Sequence, residues 1–166
     1  MNHRGRVGLH AKIVLIGLSW AFATLQVLGQ DFPKSNPTKD IAAALALAKR
    51  DGKPILLDFG ADWCIDCKVL EGLFRDPSVA PFLRDHFHVV KIDLGMYFMS
   101  DEAARNPEVA KKYGIDPMAS GVPALVLLDP RGRIVPVKTY VMWRRSREFD
   151  AAGVLVHLRE LANAVK

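Results

Sequence analysis

Two cysteines, Cys64 and Cys67, are the residues best suited to chemistry, and the sequence contains no others. Ile65 and Asp66 separate them, so a helix that starts at Cys64 brings the two thiols within reach of a disulfide. Unpaired N–H groups and the dipole at a helix N-terminus favour the thiolate form of the first cysteine. The spacing therefore predicts a redox pair in which Cys64 attacks a disulfide and Cys67 resolves the mixed disulfide.

Metal binding is the main chemical alternative for this pair. A structural zinc site needs four ligands, and the sequence has no second cysteine pair. His86 and His88 lie across the expected end of a helix, where ordinary packing is the simpler explanation. Covalent haem attachment requires a histidine directly after the second cysteine, and Lys68 occupies that position. Copper(I) handling by the two thiolates remains open, and no cofactor is expected.

The elements that position the pair follow from the patterns on either side of it. The short apolar run Ile55–Phe59 predicts a buried strand, and a helix is expected from Cys64 to Phe74. Cap and proline signals and apolar runs predict the other elements: helices over 38–50, 76–86, 106–113 and 150–165, and strands over 87–93, 122–128 and 134–141. This alternation predicts an α/β fold, with a central mixed β-sheet flanked by helices and an N-terminal helical extension.

Residues 1–29 have the pattern of a secretory signal. A start with three basic residues and no acid precedes a mostly apolar run from Ile13 to Leu28. Small residues at Ala21–Ala23 and Gly29 suggest cleavage sites. An uncleaved membrane anchor remains an alternative, although the run is shorter than the roughly 20 residues that cross a bilayer. Residues 30–37 are polar and contain two prolines, which predicts a linker before one domain over 38–166.

Composition and charge limit the classes of partner. Half of the residues are hydrophobic and a quarter are charged, as in a globular domain with its own core. The signal segment supplies +3 of the net charge of +5, which leaves about +2 for the rest. So weak a charge does not favour nucleic acid or anionic lipid as a partner. We expect a monomer that is held together by its core, since no cysteine remains for a structural bridge.

Two motifs resemble those of the thioredoxin superfamily. Residues 57–68, from Leu57 to Lys68, resemble its active-site segment. Residues 112–115 followed by Gly121–Ala124 resemble its cis-proline loop. Residues 73–79 are similar to the bacterial thioredoxin-like group that includes the C-terminal domain of the interchange protein DsbD. The resemblance covers roughly residues 40–166 and implies the thioredoxin fold.

The resemblance also implies roles for individual residues. Trp63 matches the tryptophan that flanks the nucleophile, and Asp58 matches the buried acid that takes a proton from the resolving thiol. A carboxylate in an apolar strand needs such a reason, because burial disfavours its charge. Pro123 matches the cis-proline, which would place the backbone of Val122 beside Cys64. An extended substrate segment could pair there as an added strand.

The dipeptide between the cysteines departs from the Gly-Pro of thioredoxins. Asp66 places a negative charge within one turn of Cys64, and like charge disfavours a thiolate. Strongly oxidising members stabilise the reduced thiolate instead. Ile65 and Asp66 are therefore expected to tune the pair toward a reductase or isomerase role.

Two further departures concern the surroundings of the pair. The lysine that often accompanies the buried acid is expected to be missing, because Val89 falls at its position and Lys91 lies two residues further on. The loops over 94–105 and 116–120 are longer than in thioredoxins. The first contains two methionines, a tyrosine and a phenylalanine, which could form a partner-binding rim or pack beneath the loop.

The patterns together predict a periplasmic thiol–disulfide oxidoreductase that acts on disulfides of exported proteins. Electrons would come from a membrane thiol reductase or a small thiol. A periplasmic copper-handling protein and a non-enzymatic thioredoxin-like binding module are the alternatives.

Overall fold

A three-stranded mixed sheet forms the centre of the protein. In the computed structural model, which describes residues 36–137 and 143–165, the middle strand is β1 (Ile55–Gly60). Strand β2 (His88–Asp93) pairs with it in parallel, and β3 (Ala124–Leu128) pairs with it in antiparallel orientation. Every residue of β1 and β3 is buried, which explains why their sequences are nearly continuous apolar runs. The prediction of a mixed α/β sheet is confirmed.

Helices cover both faces of this sheet. Over the described ranges they are α1 (Pro37–Asp51), α2 (Ile65–Phe74), α3 (Ala80–His86), α4 (Pro107–Lys112), α5 (Pro117–Ser120), a 3₁₀ helix (Ser146–Glu148) and α6 (Ala151–Asn163). Helix α1 is the N-terminal extension, and it begins inside the predicted linker. Asn36 caps it by accepting a hydrogen bond from the Lys39 N–H, and Pro37 suits the first turn.

Two predicted elements differ in the structure. The Asp76 carboxylate accepts hydrogen bonds from the N–H and the hydroxyl of Ser78, which forms a turn. Helix α3 therefore starts at Ala80, four residues later than predicted. The strand predicted over 134–141 is represented by a single antiparallel bridge between Ile134 and Leu128. Residues 138–142 lie outside the described part of the chain.

Two apolar clusters fill the space between the sheet and the helices. One contains Leu57 and Phe59 of β1 and packs against α1 and α4. The other contains Leu56 and the fully buried Trp143, together with side chains of α2, α3 and α6. Side chains alternate between the faces of a strand, so Asp58 lies on the face of Leu56. That face is the one that α2 covers.

The predicted signal segment, residues 1–29, lies outside the described residues. Across 36–137 and 143–165, none of the helices has the length and apolar character needed to cross a bilayer.

Candidate active site

The two cysteines form a disulfide at the start of α2. Their sulfur atoms are 2.16 Å apart and their Cα atoms 5.2 Å apart. Cys64 is the N-cap of the helix, and the backbone N–H of Cys67 donates a hydrogen bond to its sulfur at 3.1 Å. After reduction, this N–H and the helix dipole would stabilise a thiolate on Cys64.

Apolar side chains surround the disulfide, which is itself almost covered. Cys64 is 4% exposed and Cys67 is 2% exposed, whereas Trp63 and Ile65 on the surface are 39% and 65% exposed. Val122 packs against the two cysteines from the loop that precedes β3. A partner disulfide therefore meets an apolar surface before it reaches sulfur.

The loop before β3 has the backbone that the resemblance implies. The peptide bond between Val122 and Pro123 is cis. Gly121 precedes it with φ of +68°, and a Cβ atom there would lie 2.7 Å from the Arg144 side chain. The backbone conformation favours glycine at this position, because the positive φ strains a residue with a Cβ, whereas the exposed Arg144 side chain could move aside.

Trp63 connects the disulfide to the long loop over 94–105. Its indole N–H donates a hydrogen bond to the Gly95 carbonyl at 2.8 Å. Its ring meets Phe98 edge-on at 4.8 Å and contacts Tyr97 at 5.6 Å between centroids. Tyr97 packs against the first apolar cluster, the one that contains Leu57 and Phe59. Phe98 and Met99, in contrast, are 49% and 63% exposed. The loop thus contributes both to packing and to an exposed apolar rim.

Buried Asp93 holds this loop in place. Its carboxylate accepts a hydrogen bond from the Gly95 N–H at 2.9 Å and forms an ion pair with Arg105. The Asn106 side-chain amide donates to the Asp93 carbonyl at 2.8 Å. These contacts close the loop at its base, directly beside Trp63. These contacts were not predicted, although an acid at the end of a strand with a glycine two residues later was an available signal.

Asp58 lies in the middle of β1 and is 3% exposed. Its neighbour across the parallel pair is Lys91, so the expectation that this lysine is missing is wrong. Lys91 forms an ion pair with Glu71 of α2, and Arg75 binds the other carboxylate oxygen of Glu71 at 2.6 Å. Glu71 is buried and was missed, although it follows Cys67 by four residues and therefore shares its side of α2.

The environment of Asp58 favours its neutral form. Burial raises the pKa of Asp58 to about 7, an effect that Lys91 opposes and Glu71 reinforces. One oxygen of this carboxyl group makes no hydrogen bond to the residues that the structure describes. A carboxyl group with a pKa near 7 can accept or release a proton at neutral pH.

Asp66 has a charged partner from a distant part of the chain. The Arg147 Nε–H donates a hydrogen bond to its carboxylate at 2.9 Å, and the Arg147 backbone N–H approaches the same oxygen at 3.4 Å. The charge of Asp66 is therefore partly compensated, which weakens the electrostatic reason for expecting a reductase. No local pattern in the sequence indicates this contact, because 81 positions separate the two residues.

No group of three or more histidine, cysteine, aspartate or glutamate residues within 36–137 and 143–165 is arranged to hold a metal ion. His86 stacks on Phe82, and its Nδ1 is 2.9 Å from the carbonyl of that residue. His88 has its Nε2 3.0 Å from the carboxylate of Asp51. The two histidines therefore have separate structural partners.

The comparison with known families agrees with this fold and this pair. Residues 36–130 match the family described as thioredoxin-like. The chain belongs to the thioredoxin-like family. This thioredoxin-like protein resembles solved structures as well. It shares 31% identity and a TM-score of 0.68 with a disulphide isomerase from Xylella fastidiosa Temecula1, over 77% of this chain and 92% of that one.

Curated relatives of the thioredoxin-like protein are thiol:disulfide interchange proteins. It is 36% identical to DsbD 1 of Pseudomonas aeruginosa over 121 residues, which are 72% of this chain and 18% of the relative. It is 40% identical to DsbD of Salmonella typhi over 146 residues, which are 85% and 23% of the two chains. The chain thus spans about a fifth of the length of these relatives. The names of these relatives and the Cys64–Cys67 disulfide support a thiol–disulfide oxidoreductase activity for this domain.

Proposed function

We propose that the protein reduces or rearranges disulfides in exported proteins, with Cys64 as the nucleophile and Cys67 as the resolving thiol. The observation that carries this proposal is the position of Cys64 at the N-terminus of α2, where the Cys67 N–H donates to its sulfur. The relatives, which are named as a disulphide isomerase and as thiol:disulfide interchange proteins, support exchange with disulfides of other proteins.

The reaction is two successive thiol–disulfide exchanges. The Cys64 thiolate attacks one sulfur of the partner disulfide, forms a bond to it, and displaces the other sulfur as a thiolate. Cys67 then attacks the sulfur of Cys64, which closes the Cys64–Cys67 disulfide and releases the second partner thiolate. Two electrons pass from the protein to the partner. A membrane thiol reductase or a small thiol would restore the dithiol.

Asp58 is the proposed proton acceptor for Cys67. It lies on the sheet face covered by α2, and its pKa of about 7 suits proton transfer at neutral pH. Glu71, one turn after Cys67 on the same helix, influences the pKa of Asp58. A buried carboxylate that is ready to take a proton would make Cys67 a thiolate when the mixed disulfide has to be resolved.

Substrate binding is proposed to involve the backbone of Val122 and the apolar rim. Val122 packs on the disulfide directly before the cis-Pro123 bond, where an extended segment could pair as an added strand. Trp63, Ile65 and Phe98 would contact the apolar side chains of that segment. Partially folded proteins with disulfides expose such segments.

We propose a periplasmic location and a monomeric state. The location rests on the signal pattern of residues 1–29 and on the similarity to DsbD proteins. Residues 30–35 would connect the signal or anchor to the domain that starts with α1.

Redox exchange of the purified protein tests the proposed function. We expect the Cys64–Cys67 disulfide to equilibrate reversibly with a glutathione buffer in a two-electron reaction, and the reduced protein to reduce insulin with turnover when a small thiol is supplied. A protein that binds copper(I) stoichiometrically and does not turn over disulfides would contradict the proposal.

Replacement of Phe98 tests the proposed rim. We expect Phe98→Ser to lower kcat/KM for insulin reduction by about fivefold, corresponding to about 1 kcal/mol of lost contact. The equilibrium with glutathione should stay unchanged, because it depends on the relative stability of the dithiol and disulfide forms and not on contacts with a protein substrate. Val156→Ser, which removes a similarly exposed apolar side chain from α6, is the matched control. An equal loss in both variants would show that Phe98 has no specific role.

A further inference from the structure

We propose that Arg147 is a positioning residue that makes Cys64 more reactive by holding and compensating Asp66. The inference rests on the proposed role of Cys64 as the nucleophile. It assigns a redox-tuning function to a residue that follows the cysteines by about half the length of the chain.

The contact between the two side chains is direct. The guanidinium Nε–H of Arg147 lies 2.9 Å from Oδ1 of Asp66, and the Arg147 backbone N–H points to the same oxygen at 3.4 Å. The Asp66 side chain is only 17% exposed, although that of Arg147 is 63% exposed. The Arg147 guanidinium therefore covers part of the Asp66 carboxylate and replaces water as its partner there.

The backbone of Arg147 is anchored to the core beneath α2. Arg147 lies in the 3₁₀ helix that follows Trp143, and the Ser146 hydroxyl donates a hydrogen bond to the Trp143 carbonyl. The Trp143 ring is fully buried and contacts Phe74 of α2 edge-on, with 6.2 Å between the ring centroids. The core thus holds the 3₁₀ helix against the helix that carries both cysteines.

Electrostatics gives this contact a consequence for Cys64. An unpaired carboxylate within a turn of a thiolate disfavours the thiolate, and a fixed positive charge on that carboxylate removes much of the effect. The other charges near the pair have different partners or positions. Asp62 interacts with Arg105, and Lys68 is exposed. The Arg144 side chain lies against Gly121 of the cis-proline loop and is not paired with Asp66 in the structure. Lys91 and Glu71, the charges that act on Asp58, lie on the side of α2 that faces the sheet.

Loss of Arg147 should therefore destabilise the reduced protein. A less stable thiolate means a less favoured dithiol, so the variant becomes the stronger reductant. The electrons of the dithiol pass to glutathione disulfide, which yields two glutathione molecules and the Cys64–Cys67 disulfide. The equilibrium constant of that reaction reports the change directly.

A double-mutant cycle tests the inference. Wild type, Arg147→Gln, Asp66→Asn and the double variant are compared in the glutathione equilibrium and in the pH profile of iodoacetamide alkylation of Cys64. We expect Arg147→Gln to move the equilibrium about threefold toward the protein disulfide, or ~14 mV at 29.6 mV per tenfold. The alkylation midpoint should move to higher pH. In the Asp66→Asn background, Arg147→Gln should change neither the glutathione equilibrium nor the alkylation midpoint, because no negative charge remains to be compensated.

Arg145→Gln is the matched control, because Arg145 is next to the same 3₁₀ helix but pairs with Glu148 at 2.8 Å. It should shift neither measurement. The inference is overturned if Arg147→Gln changes nothing, or if its effect is equally large in the Asp66→Asn background. Failure of the wild type to exchange with glutathione would instead contradict the proposed function. The alkylation profile needs only the reduced thiol, so it would still report on Arg147.

Discussion

Replacing Cys67 with alanine is expected to turn the protein into a trap for its substrates. The Cys64 thiolate would still attack a partner disulfide, but no second thiol would be present to displace the partner. Mixed disulfides through Cys64 should therefore accumulate and be visible as adducts on non-reducing gels. Insulin turnover should fall to the background rate, because each molecule stops after one exchange.

Cys64→Ala is the control for this experiment. Cys67 lies inside α2 and is only 2% exposed, so its thiol neither caps the helix N-terminus nor is open to a partner disulfide. We expect few adducts and no turnover. Adducts that form through Cys67 in Cys64→Ala, while Cys67→Ala forms none, would reverse the roles proposed for the two cysteines.

Local sequence patterns were sufficient to predict the elements that position the disulfide. The apolar run at the start of β1 and the C-x-x-C spacing depend on residues that are close in the chain. The buried face of a strand and the N-terminus of a helix are local properties of this kind. The cis bond before Pro123 was implied by the resemblance and is present.

The contacts that surround the disulfide could not be predicted in the same way. Arg147 reaches Asp66 across 81 positions of the chain, and no periodicity connects them. The resemblance places the lysine at Val89, two residues before Lys91. A shift of two residues keeps a side chain on the same face of the sheet but changes its partner. In the actual register, Lys91 is opposite Asp58.

The start of α3 shows how one local signal can have two outcomes. An aspartate followed by proline is typical of a helix N-terminus, yet the Asp76 carboxylate binds the backbone and hydroxyl of Ser78. Short polar side chains can satisfy such turns as well as helix ends. Val79, the N-cap of α3, is fully buried in the second apolar cluster, so tertiary packing acts at the point where the helix starts.

Replacing Asp58 with asparagine is expected to stabilise the oxidised protein at alkaline pH and to leave its stability near pH 4 almost unchanged. The folded-state pKa of about 7 is above the ordinary value of 3.8. Between these values the folded protein holds a proton that the unfolded chain has released, so stability falls as the pH rises. At 1.36 kcal/mol per pKa unit, the loss is complete above pH 7 and amounts to about 4 kcal/mol.

Urea unfolding of the disulfide form at pH 4 and pH 8 measures this effect. Asp58→Asn should be more stable than wild type by about 4 kcal/mol at pH 8, because a neutral amide replaces a buried carboxylate. Asp101→Asn, which changes an exposed acid of the long loop, is the control. Its difference in stability from wild type should be the same at pH 4 and pH 8.

The Asp58→Asn variant should also resolve mixed disulfides at least tenfold more slowly, since Cys67 loses its proton acceptor. A variant that is only as stable as wild type at both pH 4 and pH 8, and that resolves mixed disulfides at the normal rate, would show that Asp58 is neither destabilised by its burial nor used by Cys67. A gain in stability together with a loss of rate would instead show that the buried charge is retained for catalysis at the expense of the fold.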